Sequence, residues 1–118
     1  MFVALVDDDE PIRAAVSGLL RAHGHEVSVF ASAEEFLAAQ LRPDCLVLDN
    51  RLPGMSGLEV HRHLERNQLL MPIIFMTSSD DVALEVDALV ARGAAIARFG
   101  KPFEAQDFLD AIERAARP

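Results

Sequence analysis

Short runs of consecutive apolar residues alternate along the chain with longer segments in which apolar residues recur every three or four positions. The runs predict five strands, Phe2–Val6, Glu26–Phe30, Cys45–Leu48, Ile73–Met76 and Ile96–Phe99. The longer segments predict five helices, Pro11–Ala22, Ala33–Gln40, a helix that starts after Ser56, Asp80–Arg92 and Glu104–Ala116. Ser32 with Glu35, and Ser56 with Glu59, have the spacing of capping boxes. The alternation predicts an α/β fold, a doubly wound five-stranded parallel sheet with helices on both faces.

Composition narrows the class of protein. The 118 residues suit one domain spanning 1–118, and 51% of them are apolar, which argues against disorder. The net charge of −8 without a cluster of Lys and Arg argues against direct nucleic acid binding. The apolar start Met1–Val6 is too short for a signal peptide or membrane span, so we expect no membrane association and a cytoplasmic protein. Cys45 is the single cysteine, and its apolar surroundings predict a buried thiol.

Polar side chains follow four of the five predicted strands. They are Asp7, Asp8 and Asp9 after the first, Asp49 after the third, Thr77 and Ser78 after the fourth, and Lys101 after the fifth. Ligands of open parallel sheets bind beyond the carboxyl ends of the strands, where these side chains should meet. Asp and Ser are also common helix N-caps, and capping is the interpretation we favour for Asp9 and Ser79 taken singly.

Three carboxylates sharing one small site would repel one another unless a cation neutralised them. If the fold brings Asp7 and Asp8 close to Asp49, a hard divalent ion such as Mg²⁺ meets that demand. Lys101 would add an ammonium that can pair with a phosphoryl oxygen, and Thr77 a hydroxyl donor. These groups are the ones that phosphoryl transfer to a carboxylate oxygen requires.

Four ordered motifs carry a family resemblance. They are the acidic segment Ala4–Arg13, the acceptor segment Asp49–Gly57, the hydroxyl segment Pro72–Ser78, and Lys101-Pro102-Phe103. At these residues the sequence closely resembles the receiver domains of two-component response regulators, from Phe2 to about Ala115. The resemblance implies a flavodoxin-like fold with strand order 2-1-3-4-5.

The resemblance also implies roles for individual residues. Asp49 would be phosphorylated, Asp8 would bind Mg²⁺ (or Mn²⁺) directly, and Asp7 would act through water. The backbone carbonyl of Arg51 would complete the metal ligands, while the backbone N–H groups of Arg51 and Ser78 would hold phosphoryl oxygens. Thr77 and Lys101 would contact the phosphoryl group.

The same resemblance implies a signalling phosphoacceptor rather than an enzyme, one that assists its own phosphorylation and dephosphorylation. Its partner would be a sensor histidine kinase or a phosphotransfer protein, and a homodimer would use the surface of the fourth helix, fifth strand and fifth helix. The motifs are similar to those of regulators with a helix-turn-helix output, which suggests a link to transcription regulation. Either the domain works alone, or a DNA-binding output domain follows Pro118.

One segment departs from the family pattern. The family usually has an aromatic residue three positions before the lysine, where this chain has Arg98, followed by Phe99. The stretch from Thr77 to Lys101 also looks one or two residues long, so either the fifth strand is bulged or Phe99 replaces the aromatic through a shifted strand.

Two other functions compete with the phosphoacceptor. The departure suggests a degenerate receiver that works as a phosphorylation-independent interaction module. A haloacid-dehalogenase-like phosphatase also uses aspartyl phosphate and magnesium, but the short chain and the Asp49 segment argue against it. Residues two apart on a helix point in different directions, so His61 and His63 cannot share an ion. We interpret these two histidines, and the pair His23 and His25, as exposed side chains.

Overall fold

A computed structural model describes residues 1–77, 83–100 and 103–116 of the chain. Its strands are β1 (Phe2–Val6), β2 (Glu26–Phe30), β3 (Cys45–Asp49), β4 (Ile73–Thr77) and β5 (Ala97–Gly100). Its helices are α1 (Glu10–Ala22), α2 (Ala33–Ala39), α3 (Gly57–Arg66), α4 (Ala83–Ala91) and α5 (Ala105–Ala115). All strand pairs are parallel, and the sheet has the order β2-β1-β3-β4-β5. The predicted fold class and strand order are confirmed.

Side chains that alternate along the strands bury two separate apolar layers. One layer packs α2, α3 and α4 against the sheet through residues such as Phe36, Leu64 and Phe75. The other packs α1 and α5 against the opposite face, around Leu20 and Phe108. Covering both faces explains why strand residues are apolar on consecutive positions.

The carboxyl ends of the strands differ slightly from the prediction. β3 and β4 each run one residue further, so Asp49 and Thr77 are the last residues of strands. β5 begins one residue later than predicted, at Ala97. Two side chains of the expected site therefore extend from the hydrogen-bonded sheet and not from loops, which fixes their backbone positions.

Helix N-caps follow the sequence signals with one exception. The side chain of Asp9 accepts from the N–H of Ile12, as capping requires, and Ser56 forms the full capping box with Glu59. Ser32 also caps its helix, but the carboxylate of Glu35 accepts from the N–H of Ala31 and not from Ser32 itself. The capping interpretation of Ser79 lies outside the described residues.

Two buried side chains complete the picture of the core. Cys45 is fully buried as predicted, and burial raises the pKa of its thiol to about 12. His61 is only 5% exposed, so the prediction that it lies on the surface is wrong. It occupies the face of α3 that packs on the sheet, with its ring centroid 6.5 Å from that of Phe75.

No helix in the described part of the chain has the length and apolar character needed to span a bilayer.

Burial of His61 predicts a pH-dependent stability. Burial lowers the pKa of His61 from its ordinary value of 6.5, so the unfolded chain binds the proton more readily than the folded one. The free energy of unfolding should therefore decrease as pH falls through 6.5, and the His61→Gln variant should lose part of that dependence. Urea titrations of both proteins between about pH 7.5 and 5.5 measure the difference. His25, whose pKa is also lowered by burial, accounts for part of the dependence left in the variant. Equal slopes in both proteins would contradict the assignment to His61.

Candidate functional site

Three carboxylates converge at the carboxyl edge of the sheet. β1 and β3 lie side by side with Val6 opposite Leu48, so Asp7 and Asp49 emerge next to each other. Carboxylate oxygens of Asp7, Asp8 and Asp49 lie within 4.8 Å of one another. Asp7 is 1% exposed and Asp49 is 4% exposed, whereas Asp8 faces solvent. The structure thus brings together the acidic residues that the sequence singled out.

Local hydrogen bonds fix the turn that carries Asp7. Its N–H donates to the carbonyl of Phe30 at 3.1 Å, and its Oδ1 accepts from the N–H of Asp9 at 2.9 Å. The guanidinium of Arg13, one turn into α1, donates to the carbonyl oxygen of Asp7 at 2.8 Å. Arg13 therefore places a positive charge beside the acidic cluster, a contact that sequence reasoning missed.

The segment after Asp49 is organised by a residue that sequence reasoning also missed. Asn50 is buried, and its Oδ1 accepts from the N–H of Leu58 in the first turn of α3, at 3.0 Å. Its carbonyl oxygen accepts from the N–H of Gly57 at 3.1 Å. The Asn side chain acts on α3 as a capping residue does, although it lies eight positions earlier in the chain, outside the local spacing that predicts caps.

Asp49 itself is oriented by its neighbours. The N–H of Arg51 donates to Oδ1 of Asp49 at 3.1 Å, which holds the carboxylate towards the start of the next loop. Gly57 closes that loop against the strand, because a Cβ atom there would lie 2.9 Å from both the Cα of Asn50 and the carbonyl oxygen of Asp49. The position of the Asp49 side chain thus depends on the tight packing of a loop that contains Arg51.

The hydroxyl of the site sits at the end of β4. Thr77 is buried and pairs in register with Gly100 of β5, one strand over from Asp49. Ser78 and Lys101, which the sequence predicts to join this edge, lie outside the described residues. The described part of the site therefore consists of the three carboxylates, Thr77, Arg13 and the Arg51 loop.

The structure also places Arg98 and Phe99, the two residues that compete for the aromatic position before Lys101. All four residues of β5 pair one to one with β4, so β5 contains no bulge within its described length. Arg98 lies opposite Phe75, and its guanidinium reaches Asp87 of α4. Phe99 packs against Phe108, with ring centroids 5.9 Å apart, in the α1 and α5 layer. Arg98 therefore occupies the side of β5 that faces α4. Phe99 lies on the opposite side of the strand, so it does not take the position of the family's aromatic residue.

Comparison with known proteins agrees with this architecture. The family described as "Response regulator receiver domain" matches residues 3–113. Nodulation protein W of Bradyrhizobium diazoefficiens is 42% identical over 116 residues, which are 96% of this chain and 50% of that protein. The response regulator protein TmoT of Ectopseudomonas mendocina is 42% identical over 117 residues, covering 98% of this chain and 52% of that protein.

Solved structures give the same result. The response regulator StyR superposes with a TM-score of 0.87 at 40% identity, over 97% of this chain and 58% of that one. Full-length FixJ from B. japonicum gives a TM-score of 0.86 at 35% identity, over 98% of this chain and 57% of that one. The chain spans about half the length of the curated relatives named above. The family match covers nearly the whole chain, and both the order of the parallel sheet and the converging carboxylates are consistent with it. The chain belongs to the response regulator receiver domain family.

Proposed function

We propose that this domain accepts a phosphoryl group on Asp49, with Mg²⁺ bound by the neighbouring carboxylates, and that the modification switches an output or partner surface. The observation that carries the proposal is the convergence of three carboxylates at the ends of two adjacent strands. Asp49 is the member of the three that extends from a central strand and accepts a backbone N–H from the following loop.

The donor set fits magnesium. It consists of carboxylate oxygens, the hard ligands that Mg²⁺ prefers, and the exposed side of Asp8 leaves room for the waters that this ion retains. Asp8 would bind the ion directly and Asp7 would bind it through water. Asp49 and the backbone carbonyl of Arg51 would complete the protein ligands. Mn²⁺ has similar ligand preferences and could replace Mg²⁺. When bound, the ion would offset the repulsion of the carboxylates and the charge of the incoming phosphoryl group.

The chemical step needs little of the protein beyond position and charge. A carboxylate oxygen of Asp49 attacks phosphorus, an O–P bond forms, and the bond between phosphorus and the donor's leaving atom breaks, with its electron pair going to the donor. The Thr77 hydroxyl and the Lys101 ammonium would then contact phosphoryl oxygens, together with the N–H groups of Arg51 and Ser78. The hydrogen bond from the Arg13 guanidinium to the carbonyl oxygen of Asp7 holds the Asp7 turn in place during this step.

The partners follow from the same step. A histidine kinase or a phosphotransfer protein would supply the phosphoryl group from a phosphohistidine, so the bond that breaks is P–N. FixJ of Rhizobium meliloti, described as a transcriptional regulatory protein, is 40% identical over 116 residues. We infer that this receiver, like that of FixJ, controls an output in transcription. Dimerisation through α4, β5 and α5 is one way in which phosphorylation would act on that output. Direct nucleic acid binding by the domain and membrane association are not expected, and a cytoplasmic location stays a prediction.

The test is an intact-mass measurement. The pure domain is incubated with acetyl phosphate or phosphoramidate, with Mg²⁺ in one sample and a chelator in the other. We expect a gain of about 80 Da, one phosphoryl group, only in the sample that contains metal. If neither donor adds mass with Mg²⁺ or Mn²⁺, the phosphoacceptor proposal fails and the phosphorylation-independent interaction module becomes the better account.

Removing the exposed carboxylate of the cluster should have two opposite effects. Asp8→Asn removes a metal ligand, so Mg²⁺ affinity should fall by about tenfold or more, whereas the loss of one of three close charges should raise the metal-free melting temperature by roughly 2–5 °C. Calorimetric titration with MgCl₂ and thermal unfolding in chelator measure the two effects. A lower metal-free melting temperature would contradict charge crowding, and unchanged Mg²⁺ affinity would remove Asp8 from the ligand set.

A further inference from the structure

Helix α4 has a smaller apolar anchor than its neighbour α3. Of its nine residues only Val86 and Leu89 are buried, whereas α3 buries three apolar side chains as well as Gly57 and His61. Leu84, in the first turn of α4, is 85% exposed. Since most helix stability in proteins comes from packing an apolar face, α4 depends more than α3 on other contacts for its position.

Those other contacts include ion pairs on two sides of α4. Towards α3, Glu85 meets Arg62 at 3.5 Å and Arg92, which follows the last turn of α4, meets Glu65 at 3.4 Å. Towards β5, Asp87 meets Arg98. The ion pairs therefore connect the helix region to one neighbouring helix and to the edge strand of the sheet.

The Asp87–Arg98 pair differs from the other two in geometry and exposure. Nε of Arg98 donates to Oδ1 of Asp87 at 2.8 Å, and Nη2 faces Oδ2 at 3.4 Å, so both carboxylate oxygens face the planar guanidinium. The Arg98 side chain is 30% exposed and that of Asp87 is 52% exposed, whereas the two partners of the Arg62–Glu85 pair are 59% and 58% exposed. Exposed single contacts contribute little to stability, and two-point arginine–carboxylate geometry is the recognised exception.

The position of Arg98 in the sheet connects this pair to the carboxylate edge. Arg98 lies opposite Phe75 of β4, and two residues further along the same strands Gly100 lies opposite Thr77. Phe75 belongs to the apolar layer that α4 covers, and residues opposite each other on paired strands face the same side of the sheet, so Arg98 lies on that side. The arginine that contacts α4 therefore lies two residues before Gly100, the β5 residue opposite Thr77.

We propose that the Asp87–Arg98 ion pair holds α4 against the edge strand β5, and that screening or breaking this pair allows α4 to separate locally while the rest of the domain stays folded. The proposal concerns the unmodified protein and does not depend on phosphorylation of Asp49. Arg98 thereby gains a role in positioning α4. The role is electrostatic, so salt and charge-changing substitutions should affect it more than substitutions that only change volume.

Native-state hydrogen exchange tests the proposal, with amides of α4 as the readout and amides of α5 as the internal reference. The protein is kept without metal or phosphodonor, at low salt and at about 1 M NaCl, where the Debye length is about 3 Å. We expect α4 amides to exchange roughly two- to fivefold faster in Asp87→Asn and in Arg98→Gln than in the wild type, with α5 unaffected. Salt should accelerate α4 exchange in the wild type and have little effect in Asp87→Asn.

Two further variants separate the ion pair from general charge and packing effects. The exchanged pair Asp87→Arg with Arg98→Asp should restore slow α4 exchange, because attraction is kept while each residue changes. Arg62→Gln, which removes a cation from the more exposed pair on the other side of α4, is the matched control and should change α4 exchange by less than about twofold. Unchanged α4 exchange in both single variants would overturn the proposal. So would equal acceleration of α5, failure of the exchanged pair to restore protection, or an equal effect of Arg62→Gln.

Discussion

Asp49→Asn should take up no phosphoryl group from acetyl phosphate or phosphoramidate under conditions in which the wild type gains about 80 Da. The amide has nearly the same shape as the carboxylate, and its oxygen can still accept from the N–H of Arg51, which in the wild type lies 3.1 Å from Oδ1 of Asp49. The variant should therefore fold normally. It lacks the anionic oxygen that attacks phosphorus, so the loss should be complete and not a partial reduction in rate.

Asp9→Asn is the matched control for that experiment. Asp9 belongs to the same acidic run, but it caps α1 by accepting from the N–H of Ile12, and the converging cluster consists of Asp7, Asp8 and Asp49. Asparagine is as good an N-cap as aspartate, so this substitution removes one charge and keeps the cap. The control should gain the phosphoryl group. Mass gained by Asp49→Asn would place the acceptor elsewhere, and failure of both variants would indicate that the net charge near the site, and not one nucleophile, controls uptake.

The sequence predicted the site well where chemistry depends on the order of strands. Parallel strands present their carboxyl ends at one edge, so residues at the carboxyl ends of β1 and β3 had to meet once those strands were neighbours, as Asp7 and Asp49 do. The helix starts were predictable because capping is a local interaction over three residues, which Asp9 and Ser56 both make. Local spacing, together with the strand order that the family resemblance implies, was therefore sufficient for the positions of the three carboxylates.

Contacts between distant segments were harder to predict. His61 is buried because α3 turns that position towards Phe75, although its spacing of three residues from Leu58 and from Leu64 was a signal of the apolar face. Asn50 bonds to α3 across eight positions, and Arg98 pairs with Asp87 across eleven. No periodic pattern in the sequence predicts these two contacts, because they depend on how a loop (for Asn50) or a strand (for Arg98) is placed against a helix.

Gly57→Ala should destabilise the domain by about 1–3 kcal/mol, although Ala is the better helix former. Gly57 is the first residue of α3, where helix propensity alone would favour Ala by less than the roughly 1 kcal/mol of a helix interior. A Cβ atom there would lie 2.9 Å from the Cα of Asn50 and from the carbonyl oxygen of Asp49. Both are backbone atoms, one of them in the last residue of β3, so no side chain can rotate away and the loop must move instead.

Gly18→Ala tests the same substitution where space is available. Gly18 is an exposed residue inside α1, and a Cβ atom there would have no neighbour within 4 Å. This variant should gain roughly 0.5–1 kcal/mol, so thermal or urea unfolding should move in opposite directions for the two glycines. Because the displaced loop carries Asn50 and the N–H that orients Asp49, Gly57→Ala should also slow phosphoryl uptake, which Gly18→Ala should not change. If both variants were stabilised, the loop after Asp49 would be free to move outward at no cost, and tight packing at Gly57 would not be what positions the Asp49 side chain.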